Sequence, residues 1–308
     1  MRTYRYLHLD VFTETPLAGN QLAVFPEPAG LSAGEMQTIA REMAFSESTF
    51  IFPAETPGTD VRIRIFTPAD ELPMAGHPTI GSTFALALEG TIRAESTELV
   101  CGLGVGPTPV ALEWKGSTLD FAWMTQQTPT FGGTVSDRSA FASAIGVRTS
   151  DLVGDQPIEV ISCGLPYLLA ALATRAAVDA VDVSRTAYRD CVKAAGIDDL
   201  PVFVFTLDRG SSAGDESVYS RMLAPGFGIP EDPATGSATG PLGCYLAAHD
   251  MLTPDRLQHF VSLQGAAMKR PSRLHVSIDR DGRSITRVRV GGRSVLVGRG
   301  ELQLPTGA

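Results

Sequence analysis

The chain has 308 residues, long for a single core and sufficient for two domains of about 150 residues each. Its 44% hydrophobic and 19% charged residues supply packed cores and exclude a disordered chain, and a net charge of −9 sets the surface against nucleic-acid phosphates and anionic lipid, so neither is an expected partner. No apolar run approaches the roughly 20 residues that span a bilayer, and the N-terminus shows no apolar core followed by a cleavage site, which predicts a cytoplasmic protein.

Tyr4 to Phe12 is rich in β formers and alternates, predicting a strand with Leu22 to Phe25 as its neighbour. Ser32-Ala-Gly-Glu35 matches a capping box, and Met36, Ile39, Ala40 and Met43 follow at helical spacing, so a helix with one buried face should end near Ala44. Phe45 to Phe52 leads into a strand, and Val61 to Phe66 forms another. Pro68 and Pro73 then bracket a loop. His77-Pro78-Thr79-Ile80 opens a helix through Leu88, with Pro78 in the first turn where a missing N–H costs nothing. Thr83 to Leu88 is nearly apolar all round, which predicts a helix buried on every side and wrapped by a sheet.

Strands follow at Val110 to Trp114 and Leu119 to Met124. The polar, Gly-rich stretch Gln126 to Thr134 marks a domain switch, giving domains 1–127 and 128–292, with a segment of about 293–308 able to return to the first. The second half has predicted strands at Ile158 to Ser162, Tyr167 to Leu172, Val202 to Leu207 and Val218 to Leu223, and a helix at Arg185 to Ala195. Late strands are Leu274 to Ile278, Arg287 to Val290 and Val295 to Val297. Cys101, Cys163, Cys191 and Cys244 form no C-x-x-C pair and no zinc spacing, and each is expected as a small buried residue. Gly102-Leu-Gly-Val-Gly106 leads into a strand and not a helix, which rules out a dinucleotide loop. His8, His249, His259 and His275 show no metal-ligand spacing.

One local pattern occurs twice. Arg64-Ile-Phe-Thr-Pro68 precedes Pro73-Met-Ala-Gly76-His77-Pro78-Thr79, and Arg221-Met-Leu-Ala-Pro225 precedes Pro233-Ala-Thr-Gly236-Ser237-Ala238-Thr239. Each copy runs into a strongly apolar helix, and the loop between the two submotifs is three residues longer in the second. A helix start carries unpaired N–H donors and partial positive charge, and a preceding glycine admits a ligand to the backbone. Two such starts facing each other would hold a carboxylate or a developing enolate. The competing reading is a self-capped helix, with Thr79 or Ser237 as the cap.

Three side chains are candidates for proton chemistry. Glu47 lies between Ser46 and Ser48 and is flanked by Phe45 and Phe50; apolar surroundings would raise its pKa, whereas an exposed loop glutamate would do nothing. Asp232 precedes the second turn and would orient a substrate or cap a loop. His77, at a helix start, would be held uncharged as a donor or base, or be a structural histidine.

The motifs Asp10-Val-Phe-Thr, Leu17-Ala-Gly-Asn20, Met43-Ala-Phe-Ser-Glu47-Ser, Glu71-Leu-Pro-Met-Ala-Gly-His77-Pro-Thr, Ser162-Cys-Gly-Leu-Pro-Tyr, Glu231-Asp-Pro-Ala-Thr-Gly-Ser237-Ala, Gln264-Gly and Arg270-Pro-Ser-Arg273 together resemble the PhzF-like phenazine biosynthesis family. The resemblance spans nearly the whole chain. It implies an α/β (α+β) fold like diaminopimelate epimerase: two pseudo-repeated domains, each a mixed sheet rolled around a central apolar helix, with the site between them. It implies isomerisation of a small unsaturated carboxylic acid of the trans-2,3-dihydro-3-hydroxyanthranilate type, with no metal or organic cofactor, by a homodimer. By resemblance Glu47 is the proton shuttle, Asp232, His77 and Ser237 surround the substrate, and the backbone at Gly76 and Gly236 binds its carboxylate. Ser48 and Cys163 stand where the family commonly has Thr. The related epimerases place two cysteines at positions that here are Ala75 and Thr235. An amino-acid epimerase or racemase, or a non-catalytic small-molecule-binding protein, are the alternatives.

Overall fold

β-Branched and aromatic runs become strands, and the two all-apolar runs become the helices that those strands enclose, in a computed structural model that describes residues 1–207 and 216–305. The chain divides into unit 1, Met1–Thr125 with Gly291–Ala308, and unit 2, Gln126–Val290.

Unit 1 comprises β1 (Arg2–Val11), β2 (Asn20–Phe25), α1 (Ala33–Met43), β3 (Glu47–Pro53), β4 (Val61–Phe66), the short β5 (Glu71–Leu72), α2 (Gly76–Leu88), β6 (Glu98–Leu103), β7 (Gly106–Lys115) and β8 (Thr118–Gln126). The C-terminal strand Ser294–Leu304 lies antiparallel to β1, which pairs antiparallel with β2. The sheet continues with β3 parallel to β2, β4 antiparallel to β3, β6 parallel to β4, then β7 and β8 antiparallel in turn.

This sheet curls about α2, which touches β1 to β4 and the C-terminal strand. Eleven of the 13 residues of α2 are buried, which accounts for a run with no polar face. The opposite face of the sheet is covered by α1. There Phe25 stacks on Phe50 at 4.9 Å and Phe50 meets Phe66 edge-on at 5.5 Å, beside Met36, Ile39 and Ala40 of the helix. Each such aromatic pair contributes about 0.5–1.5 kcal/mol beyond the area it buries. The predicted capping box is present: Glu35 N–H donates to Ser32 Oγ at 3.2 Å and Ser32 N–H to Glu35 Oε2 at 2.8 Å. Ala44 ends the helix in the left-handed region at φ 54°.

Unit 2 repeats this plan with β9 (Thr130–Thr134), α3 (Arg138–Ala144), β10 (Glu159–Ser162), β11 (Pro166–Ala171), α4 (Arg175–Asp179), α5 (Arg185–Ala194), β12 (Val202–Leu207), β13 (Glu216–Ala224), β14 (Ile229–Asp232), α6 (Gly236–Ala248), α7 (Pro254–Gln258), β15 (Phe260–Gln264), β16 (Ser272–Asp281) and β17 (Ser284–Gly292). From β9 to β13 and on to β15 and β16, the pairings alternate as they do from the C-terminal strand through β1 to β7. Phe203 and Phe205 of β12 face α6, Leu246, Val276 and Ile278, while the alternate Val202 and Val204 face Ile145, Tyr188 and Val192 under α3 and α5. A strand buried on both faces is apolar without alternation, as the run Val-Phe-Val-Phe is.

The structure adds elements that the sequence pattern did not predict. Gln126 to Thr134, expected as a polar connector, contains β9, whose five residues are all exposed. It needs no apolar side chain because its main chain pairs with β10. The bracketed loop before His77 holds β5, and Asp232, expected in a loop, closes β14. The second apolar helix begins at Gly236, inside the repeated turn, and tolerates Pro241 within it. Three cysteines are buried as expected, with Cys163 and Cys244 sulfurs 3.6 Å apart; Cys191 on α5 is only half-buried, because that helix is amphipathic. No helix among the described residues is long and apolar enough to cross a membrane.

Candidate active site

Both copies of the sequence repeat fold into the same turn and open helices of equal length. Gly76 starts α2 after Ala75, Gly236 starts α6 after Thr235, and both helices run 13 residues. The turns share an Arg–Glu brace. Arg64 forms a two-pronged ion pair with Glu71 at 2.7 and 2.6 Å, and Arg221 forms one with Glu231 at 2.9 and 2.8 Å. Gly104 and Gly265 lie against the prolines that open the turns: a Cβ at Gly104 would meet Pro73 Cα at 2.8 Å, and one at Gly265 would meet Pro233 O at 2.6 Å. Gly104 belongs to the glycine-rich segment that superficially resembles a dinucleotide loop, and this close approach explains its glycine.

Neither helix is capped by a side chain, which removes the self-capped alternative. The Thr79 hydroxyl donates to the Ala75 carbonyl at 2.7 Å, as Thr239 does to Thr235 at 2.8 Å. Ser237 instead shares a hydrogen bond with the Tyr167 hydroxyl at 2.6 Å. Neither N-cap residue therefore occupies the first-turn N–H groups with its own side chain, the arrangement that suits an anion.

In unit 1 the structure brings Glu47, Gly76 and His77 together. Glu47 is the first residue of β3, and its side chain is 12% exposed, so it is not an open loop glutamate. Its Oε2 lies 3.4 Å from His77 Nε2. The other ring nitrogen of His77, Nδ1, is 3.2 Å from Asn20 Nδ2. His77 is 3% exposed; burial drives its pKa down to about 3, against a smaller opposing effect of a hydrogen bond to the Gln21 main chain. The imidazole is consequently uncharged at neutral pH, as its position at a helix start predicts, and it presents a neutral edge to the carboxyl group.

In unit 2 the structure gathers Asp232, Gly236 and Ser237, all buried. Asp232 Oδ2 accepts from Thr235 Oγ1 at 2.5 Å. Gln264 binds both residues: its Nε2 donates to the Asp232 carbonyl at 2.8 Å and to Thr235 Oγ1 at 3.0 Å, and its Oε1 accepts from Thr235 N–H at 3.1 Å. Gln126 Nε2 donates to the Gly236 carbonyl at 2.8 Å. No local sequence signal assigns a side-chain role to Asn20, Thr235, Gln264 or Tyr167. Among the described residues no group of three or more His, Cys, Asp or Glu is placed to hold a metal ion.

With Arg64 matched to Arg221, the strand registers match Glu47 to Pro201, Leu72 to Asp232, Ala75 to Thr235, His77 to Ser237 and Leu103 to Gln264. The frame is duplicated, and the side chains that could do chemistry are not.

The sequence model of the family described as phenazine biosynthesis-like protein matches residues 9–300. The trans-2,3-dihydro-3-hydroxyanthranilate isomerase of Pseudomonas aeruginosa is 36% identical over 301 residues, covering 98% of this chain and 100% of that protein. A crystal structure of a PhzF-family phenazine biosynthesis protein from Bacillus anthracis superposes with a TM-score of 0.86 at 24% identity, covering 99% of this chain and 100% of that one. A hydroxyproline epimerase from Agrobacterium vitis shares the fold at a TM-score of 0.66 and 14% identity, covering 98% of this chain and 92% of that one.

Proposed function

The chain belongs to the phenazine biosynthesis-like protein family, with a diaminopimelate epimerase-like fold, and is an isomerase; from the Glu47–His77 pair and the helix starts we propose that it moves a proton within a small unsaturated carboxylic acid, using Glu47 as the shuttle and no metal or organic cofactor. The observation that carries this reading is the Glu47–His77 pair at 3.4 Å, a largely buried carboxyl beside a neutral imidazole, in the same unit as the uncapped helix start at Gly76.

Glu47 removes a proton from carbon next to the unsaturated system, the double bond shifts, and Glu47 returns the proton elsewhere on the same face. Atoms and charge balance without any co-reactant. His77 donates to or accepts from Glu47 without acquiring charge of its own. The first-turn amides at Gly76 and at Gly236 and Ser237 bind the carboxylate and the negative charge that builds during transfer, and Asp232 orients the substrate. The trans-2,3-dihydro-3-hydroxyanthranilate named for the Pseudomonas relative is the first substrate to try. The epimerase alternative needs a second, opposed base: the partner of Glu47 by register is Pro201, Ala75 and Thr235 carry no basic group, and the one candidate, His77, lies beside Glu47 at 3.4 Å in the same unit, which favours isomerisation. The protein is read as a cytoplasmic homodimer with no nucleic-acid or membrane partner.

Glu47→Gln keeps the shape and removes the carboxylate that accepts and returns the proton. Conversion of trans-2,3-dihydro-3-hydroxyanthranilate should fall by about 10²–10⁴-fold, the usual share of a general acid–base group, while the melting temperature stays near that of the wild type. Near-normal turnover by the variant would overturn the role of Glu47.

A further inference from the structure

Asp232 sits in a hydrogen-bond chain whose direction can be assigned atom by atom. The Gln264 amide is fully buried and is oriented by two main-chain groups of fixed polarity: the Thr235 N–H points at Oε1, and the Asp232 carbonyl faces Nε2. Turning the amide over would set donor against donor and acceptor against acceptor. The second Nε2 hydrogen goes to Thr235 Oγ1. That oxygen has one hydrogen, which is committed to Asp232 Oδ2 at 2.5 Å. Gln264 thus polarises Thr235, and Thr235 donates to the carboxylate.

The fold does not require this chain. Unit 1 builds the same turn, the same bidentate ion pair, the same Gly–Pro contact and the same 13-residue helix with Leu72, Ala75 and Leu103 at the matched positions. Three polar residues have replaced an apolar set that suffices for structure.

We propose that Thr235 and Gln264 are positioning residues, which lock the Asp232 carboxylate as a fixed acceptor so that it holds the substrate in register for proton transfer. This rests on the role given to Asp232 above.

The test uses Thr235→Val, Gln264→Leu and the conservative Thr235→Ser. With trans-2,3-dihydro-3-hydroxyanthranilate as substrate, the first two should lose about 10- to 100-fold in kcat/KM, the size expected when a hydrogen bond to a charged group is removed; Gln264→Leu also strips the buried Thr235 N–H and Asp232 carbonyl of their partner and should lower the melting temperature, so Thr235→Val, which leaves the main chain paired, carries the kinetic comparison. Thr235→Ser, which retains the hydroxyl, should recover most of the loss. Unchanged kinetics in Thr235→Val, or no recovery in Thr235→Ser, overturns the proposal. A second readout is independent of turnover. The Thr235 hydroxyl proton should give a slowly exchanging NMR resonance in the wild type that disappears in Gln264→Leu. If the wild type does not convert this compound but shows this behaviour, the proposed substrate fails and the hydrogen-bond chain stands. If the resonance is missing in the wild type, or persists in Gln264→Leu, the chain itself is wrong.

Discussion

Unit 1 and unit 2 hold the same turn with the same Arg–Glu pair, yet one carries Glu47 and His77 where the other carries Pro201 and Ser237. The second carries Asp232, Thr235 and Gln264 where the first carries Leu72, Ala75 and Leu103. Helix starts able to bind an anion come from the backbone, so duplication preserves them at little cost in sequence. Proton transfer and orientation come from side chains, which diverge freely once the frame is secure. The comparison teaches that a shared frame can carry different side chains: one copy holds a carboxyl beside an imidazole and the other a carboxyl bonded to a threonine hydroxyl.

The largest expected effect tests whether the two braces are equal in weight. Arg221 is more buried than Arg64, and besides Glu231 its Nη1 donates to the carbonyls of Val178, Asp179 and Val181, at 2.9, 3.0 and 2.9 Å. Arg221→Met leaves a half-buried carboxylate and three carbonyls without that donor and should cost about 3 kcal/mol. Arg64→Met, whose partner Glu71 is 39% exposed, should cost about 1 kcal/mol. Thermal or urea unfolding of both variants gives the comparison, and equal losses would remove the distinction.

Acid should separate the units next. The folded pKa of His77, about 3, lies below its ordinary value of 6.5. Between these values the unfolded chain binds the extra proton and the folded protein does not, so stability rises with pH across that window. It is lost as pH falls through it, with this residue contributing up to about 1.4 kcal/mol per pH unit. Ser237, the counterpart, does not titrate. Unfolding free energies measured from pH 7 down to 4 should show a shallower slope for His77→Asn than for the wild type.

The smallest effect concerns the outer helices. Ser32 caps α1 through its hydroxyl, whereas Ser184, which starts the corresponding α5, makes no side-chain cap bond. Ser32→Ala should cost about 1 kcal/mol, and Ser184→Ala should leave the unfolding midpoint unchanged.

Local signals were legible in the sequence. The capping box at Ser32, the apolar helix before Leu88 and the repeated Pro-x-x-Gly turn depend on neighbours within a few residues. The burial of Glu47 depends on a parallel pairing of β2 with β3, Leu22 against Glu47, which no periodicity reports. Gln264 lies 29 residues from Thr235, at the end of β15, a five-residue strand with no clear alternation in its sequence. The repeat itself offered a route to it. Extending the match past the helices would have set Gln264-Gly265 against Leu103-Gly104 and shown a polar residue standing in an apolar position. The exposed strand β9 had no such route, since its stability comes from main-chain hydrogen bonds.

The antiparallel pairing of the C-terminal strand with β1 makes the first element of unit 1 wait for the last. A ribosome releases Gln126–Val290 as one uninterrupted stretch before residues 294–304 exist to complete the sheet around α2. During synthesis the second unit therefore has all its strands while the first still lacks one edge, and the final step of folding closes a loop nearly as long as the chain.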